Sequence, residues 1–168
     1  VFRLDTDILA PRPRTDRRVE FIRACLAELD AHLRELSGHT QGGLVVLHAA
    51  AVDAVPRLAQ ALGVNAVFAN HDDEPPALAR DARVLGDLAH AGIILRSFKD
   101  HVIFERREVL TQAGGAFGVF TPYKNAWLKR LRQEHLKAWP VEPLAAALAP
   151  RPANHARPVP TLPEIGFE

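Results

Sequence analysis

Four short apolar runs, separated by stretches whose apolar residues recur every three or four positions, constrain the fold of this chain more than any other feature. The runs lie at Val1 to Asp5, Gly43 to His48, Asn65 to Asn70 and Gly92 to Phe98. Each carries neighbouring Val, Ile, Leu or Phe residues rather than an alternating pattern, as expected of strands covered on both faces in a parallel sheet. Between the first two, Val19, Ile22, Leu26, Leu29, Leu33 and Leu36 form a helical stripe, with Thr15 or Asp16 available as its cap. Val55, Leu58 and Leu62 mark a second helix. Leu78, Ala82, Leu85 and Leu88 mark a third that begins near Pro75 and Pro76. The order strand, helix, strand, helix, strand, helix, strand predicts an α/β fold, a doubly wound parallel sheet.

A chain of 168 residues suits one domain with a substantial core. After Phe98 come a polar stretch, the loop Gln112-Ala113-Gly114-Gly115, and a helix expected from about Tyr123 to Lys137, with Pro122 at its start. Beyond Trp139 the prolines accumulate, and little besides Leu144 to Leu148 could build a core. The expected division is therefore an α/β domain over 1–148 and a Pro-rich linker over 149–168. The net charge of +1 gives no global argument for nucleic acid, so any basic surface is local. Cys25, the single cysteine, excludes an internal disulfide and is expected as a small core residue in a reducing compartment. No apolar run reaches the roughly 18 to 20 residues needed to cross a bilayer, and no leader is visible. A cytoplasmic location without membrane contact is expected. The start at Val1, inside a strand-like run, reads as a piece of a longer chain.

Ligands of open α/β sheets bind beyond the carboxyl ends of the strands. Three clusters lie there: Asp5 with Ile8 and Leu9, His48 with Ala49 and Ala50, and Asn70-His71-Asp72-Asp73-Glu74. Two readings of Asp5 and of Asn70 to Glu74 stand together, ligand contact and helix capping. His71, Asp72 and Glu74 offer metal donors, but no recognised partner motif accompanies them. Gly42-Gly43 and Gly114-Gly115 lack the context of a phosphate cradle, and no Ser-His-Asp order or Gly-flanked nucleophile is present. Lys124, Lys129, Arg130, Arg132 and Lys137 either touch phosphates or form a solvated helix face, with Tyr123 and Trp127 packing in the second case.

Several segments, in order, carry a family resemblance. They are Leu4-Asp5 with Ile8-Leu9, Arg17-Arg18-Val19 through Leu29, Asn70 with Glu74, Pro75, Arg80 and Asp81, then Ser97 to Phe104, and Val119 to Leu131 containing FTPYKNAWLKRL. Together they resemble the N-terminal α/β domain of the photolyase/cryptochrome family, and most of all a bacterial class I cyclobutane pyrimidine dimer DNA photolyase. The family's sheet has five strands. Its first, central strand, with a W-F-R-x-D-L-R motif, has no counterpart here, and association through unpaired strand edges is an expected consequence. Leu162 to Phe167 resembles the connector before a helical FAD-binding domain that lies outside this chain.

The resemblance implies a light-harvesting, chromophore-binding domain of a DNA photolyase. The parent enzyme is a light-dependent lyase that repairs UV-damaged DNA by electron transfer from reduced FAD, and this fragment alone is expected to be inactive. A cryptochrome-like blue-light photoreceptor domain is the alternative. By matching positions, Asp5, Ile8, Arg18, Asp72 and Glu74 are the expected contacts of an antenna chromophore, with Lys99 as a further candidate. Folate-type antennae use an Asn-Glu pair where this chain has Pro76 and Ala77, so the resemblance favours an 8-hydroxy-5-deazaflavin-like pigment over methenyltetrahydrofolate. Arg80 and Asp81 are expected to form a structural ion pair or a cap.

Overall fold

The computed structural model describes the backbone of residues 1–168 and the side chains of all but Phe2 and Arg3. In chain order its regular elements are β1 (Phe2–Leu4), α1 (Thr6–Leu9), α2 (Arg17–Ser37), β2 (Val46–His48), α3 (Ala51–Ala61), β3 (Ala66–Asn70), α4 (Pro75–His90), β4 (Ile94–Phe98) and α5 (Phe120–Arg130), followed by four short 3₁₀ turns. All four strands fall within the apolar runs. β1 pairs parallel with β2, Leu4 opposite His48, and β3 pairs parallel with β4, Asn70 opposite Phe98. The fold is α/β with parallel strands, in two two-stranded sheets. Parallel partners need a crossover, and α2 and α4 supply them. The chain divides into two compact units, residues 1–61 with 140–168, and residues 62–139.

In the first unit the core contains Leu4, Leu9, Val19, Leu26, Leu44, Val159, Ile165 and Phe167. The segment 149–168, expected to offer little for a core, thus supplies three of these side chains. Its prolines deny it a strand ladder, yet individual bonds hold its backbone. Arg151 N–H donates to Gln41 O at 2.9 Å, Glu168 N–H to Arg14 O at 2.8 Å, and Arg23 Nε to Pro160 O at 3.3 Å. Composition registers the missing ladder and overlooks such isolated contacts.

The α2 stripe turns inward only in part. Val19 and Leu26 are buried, whereas Ile22 and Leu29 are 40% and 45% exposed. Cys25 is also exposed, which corrects its assignment to the core: the buried line runs through Val19, Leu26 and Asp30, and Cys25 lies beside it. Asp30 is the polar member of that line. Its Oδ1 accepts from Leu44 N–H at 2.7 Å, and its carboxylate pairs with Arg34 at 2.6 Å and with buried Arg151 at 3.4 Å. Arg151 Nη1 further donates to Leu44 O and Arg157 O, each at 3.0 Å. Gly43 lets the backbone reach this cluster. Its φ of 111° suits glycine alone, and a Cβ there would collide with Asp30 Oδ1. The Gly42-Gly43 pair is therefore accounted for by packing.

In the second unit α4 packs on β4 and buries Ala77, Val84 and Leu88. Arg80 Nε and Asp81 Oδ1 lie 2.7 Å apart, the expected ion pair. The basic helix is shorter than its sequence pattern. It begins at Phe120 and ends at Arg130, Leu131 is extended, and a separate 3₁₀ turn covers Gln133–Leu136. Pro122 sits third in this helix, still within the first turn, whose N–H groups have no helical partner. The aromatic residues pack: Phe104 meets Trp127 edge-on at 5.5 Å and His135 at 5.0 Å, and Tyr123 meets Phe117 edge-on at 6.0 Å. Arg130 stands over the Phe104 ring at 5.8 Å.

Candidate functional site

At the carboxyl end of β1, Asp5 caps α1. It is buried, and its Oδ1 accepts the Asp7 N–H at 3.1 Å. The first turn of α1 closes on Asp5 O with Ile8 N–H at 3.2 Å and Leu9 N–H at 3.0 Å, leaving the Ile8 side chain 49% exposed beside the buried cap. Asp5 and Ile8 are thus brought into one turn, and both earlier readings of Asp5 stay compatible with its geometry. Arg18 stands at the start of α2. Its Nη2 reaches Asp16 Oδ2 at 2.6 Å and its Nε reaches Asp16 Oδ1 at 2.9 Å, while Asp16 caps the helix through Arg18 N–H at 3.0 Å. This fork holds the Asp16 carboxyl well below the usual range, chiefly through the side-chain hydrogen bond, and raises the Arg18 guanidinium. Arg18 remains largely exposed, so another anion can approach its outer face.

At the carboxyl ends of β3 and β4, two loops are stitched together. His71 N–H donates to Phe98 O at 2.7 Å, Asn70 Nδ2 to Asp100 Oδ2 at 2.7 Å, and Arg106 Nε to Asp73 Oδ1 at 2.9 Å. His71 Nδ1 meets Glu105 Oε1 at 2.8 Å, and its Nε2 meets Ser97 Oγ at 3.0 Å. Asp72 lies within this cluster and uses Oδ1 to accept Glu74 N–H at 3.1 Å. Glu74 precedes α4, is exposed, and makes no capping bond with its side chain. Lys99 is committed elsewhere: its Nζ lies 2.8 and 3.0 Å from the two Glu108 oxygens, which lowers the Glu108 carboxyl below its ordinary value. Lys99 is therefore part of the loop stitching, and contact with a ligand requires it to share Glu108.

The six anticipated contacts fall into two groups, Asp5, Ile8 and Arg18 in the first unit, and Asp72, Glu74 and Lys99 in the second. The residues that order the second group, Asp100, Glu105, Arg106 and Glu108, escaped sequence reasoning. Their partners lie up to 34 residues away, and a polar stretch after a strand carries no signal of which of its charges turn back. Among the described residues no three or more His, Cys, Asp or Glu side chains form a metal-holding group, and no helix is long and apolar enough to cross a membrane. An open cavity of about 440 Å³ in the first unit is lined by Arg23, Ala27, Asp30, Ala31, Arg34, Pro158 and Val159, and by none of the anticipated contacts.

Ala77 is buried on α4 and Pro76 has no N–H to offer, so the first turn of this helix presents no polar side chain at these two positions.

Comparison with known proteins agrees with this α/β arrangement. The deoxyribodipyrimidine photo-lyase of Synechococcus sp. (strain ATCC 27144 / PCC 6301 / SAUG 1402/1) is 28% identical over 173 residues, covering 100% of this chain and 34% of that protein. The corresponding protein of Halobacterium salinarum is 32% identical over 168 residues, covering 99% of this chain and 33% of its own length. Cryptochrome-1 of Arabidopsis thaliana is 28% identical over 134 residues, 78% of this chain and 18% of that one. A solved structure, a bacterial class III photolyase from Agrobacterium tumefaciens, superimposes with a TM-score of 0.62 at 27% identity, over 73% of this chain and 24% of that one. The chain spans about a third of the length of the first two relatives. With residues 1–146 matching DNA photolyase as a family, the chain belongs to the DNA photolyase family.

Proposed function

We propose that this chain is the light-harvesting domain of a class I photolyase that repairs cyclobutane pyrimidine dimers in UV-damaged DNA. The observation that carries the reading is the family match over residues 1–146, which includes every strand-end loop described above. Repair needs an electron from reduced FAD in a helical domain outside this chain, and the fragment alone does not repair. An antenna pigment supplies absorption in the near ultraviolet and blue and passes excitation to that flavin.

The chain's own part is to bind and orient the pigment. In the second unit, the tied loops hold the segment bearing Asp72 and Glu74 rigid, and Glu74 accepts a hydrogen bond from the pigment. In the first, the Asp5 cap fixes the turn that presents Ile8 as an apolar surface, and Arg18 offers its outer N–H groups. The buried Ala77 favours a deazaflavin-like pigment over folate. A cytoplasmic location fits the same reading.

Cryptochrome-1 among the relatives supports a second reading, a photoreceptor domain that signals through partners. Repair of thymine dimers by the full-length parent under blue light, with its flavin reduced, separates the two. Dimer loss under light and none in darkness is expected. A flavin-loaded parent that repairs nothing under either condition would refute the photolyase reading.

A further inference from the structure

We propose that Ser97 is an activated nucleophile that takes the acyl group of small carboxylic esters, with His71 as its general base and Glu105 as the residue that positions the base. The antenna reading uses the His71–Glu105 bond only to tie the loops together and gives Ser97 no part. They nevertheless form a chain of hydrogen bonds, from Ser97 Oγ to His71 Nε2 at 3.0 Å, and from His71 Nδ1 to Glu105 Oε1 and Oε2 at 2.8 and 3.0 Å. An ionised carboxylate only accepts, so Glu105 places the proton of the neutral imidazole on Nδ1. Nε2 is left as the acceptor of the Ser97 hydroxyl proton. Nucleophile, base and orienting acid are joined in the sequence that serine acyl transfer uses on unrelated folds.

The arrangement is supported from behind and open in front. Glu105 is held through its backbone N–H on Glu108, which is itself paired with Lys99. Arg106 adopts the left-handed conformation, φ 41°, and grips Asp73, so both sides of Glu105 are pinned. The Glu105 side chain is 14% exposed and the His71 side chain 24%. Ser97 itself is exposed on β4, and its neighbour across the sheet is Ala69, whose methyl leaves room for an ester to approach. The order His71, Ser97, Glu105 along the chain matches no familiar motif, which is why sequence inspection passes over it.

In the first step Ser97 Oγ bonds to the ester carbonyl carbon, the bond from that carbon to the leaving alkoxide or phenolate breaks, and the hydroxyl proton moves to His71 Nε2. His71 then gives the proton to the departing oxygen or to solvent. In the second step water, giving a proton to His71 Nε2, bonds to the acyl carbon, the bond from that carbon to Ser97 Oγ breaks, and His71 returns the proton to Ser97 Oγ as the acid leaves.

The test treats the 168-residue chain with p-nitrophenyl acetate, quenches in acid and maps acetylation by peptide mass spectrometry. Ser37, the only other serine, serves as the internal comparison. Acetyl-Ser97 is expected to exceed acetyl-Ser37 at least about tenfold, and H71Q, checked for folding by circular dichroism, is expected to bring the two together, since a positioned base contributes about 10²–10⁴ in rate. In E105Q, also checked for folding by circular dichroism, the ¹⁵N spectrum of His71 is expected to lose its single Nδ1–H tautomer, because the amide that replaces the carboxylate donates as well as accepts. Equal acetylation of Ser97 and Ser37 in the unmodified chain, or undiminished acetyl-Ser97 in folded H71Q, would overturn the proposal.

Discussion

Replacing Arg151 with alanine tests whether the Pro-rich segment 149–168 belongs to the folded body of the first unit. Arg151 is 6% exposed and lies among Asp30 Oδ1, Leu44 O, Arg157 O and Gln41 O. Alanine would orphan these acceptors where Asp30 is only 5% exposed. Breaking a buried pair in this way costs about 3–5 kcal/mol. Asp30 keeps Arg34, at 2.6 Å, and the Leu44 N–H, so the lower end applies, about 3 kcal/mol. At this chain length each kcal/mol lowers Tm by roughly 2–4 °C, so the expected loss is about 6–12 °C in a thermal melt followed by circular dichroism. Arg157→Ala, at an exposed position where only the backbone carbonyl takes part, should stay within about 0.5 kcal/mol. Equal Tm values for R151A and R157A would refute the clasp and return the segment to the status of a tether.

Two further expectations concern stability. Gly43→Ala should destabilise the first unit by about 2 kcal/mol or more in urea titration, because it imposes a left-handed φ on alanine and drives a methyl into Asp30 and Arg34. Asp16, whose carboxyl Arg18 holds well below the usual range, contributes stability above the ordinary carboxylate value of about 3.9 that is lost as pH falls toward its lowered native value. Asp16→Asn should therefore lower Tm near neutrality and flatten its decline with acid below about pH 4. An unchanged slope would remove Arg18 from that role.

The strands and helices were legible because their signals are local and repeated. Consecutive apolar residues mark β3 and β4, and three- and four-residue spacing marks α2 and α4. The turns at Asp5 and Asp16 were equally readable, since a cap satisfies donors only two residues away. What the sequence concealed depends on separation. Val159 and Phe167 look like exposed punctuation between prolines until the chain folds back on Leu4 and Val19. Cys25 lies one position from Leu26, and that single step on the helix moves it from the core to the surface. Lys99 resembles a free cation for a ligand, and Glu108, nine residues on, claims it. A polar loop discloses its charges and conceals their partners.

Pigment binding tests the central claim most directly. The purified chain, titrated with an 8-hydroxy-5-deazaflavin and followed by absorption and fluorescence polarisation, is expected to saturate and to shift the pigment's visible band as it leaves water. Glu74→Gln, at an exposed side chain without structural partners, is expected to weaken binding roughly tenfold while Tm is unchanged. A folded chain that leaves the pigment's spectrum and polarisation untouched, or a Glu74→Gln chain that binds it as tightly, would contradict the account.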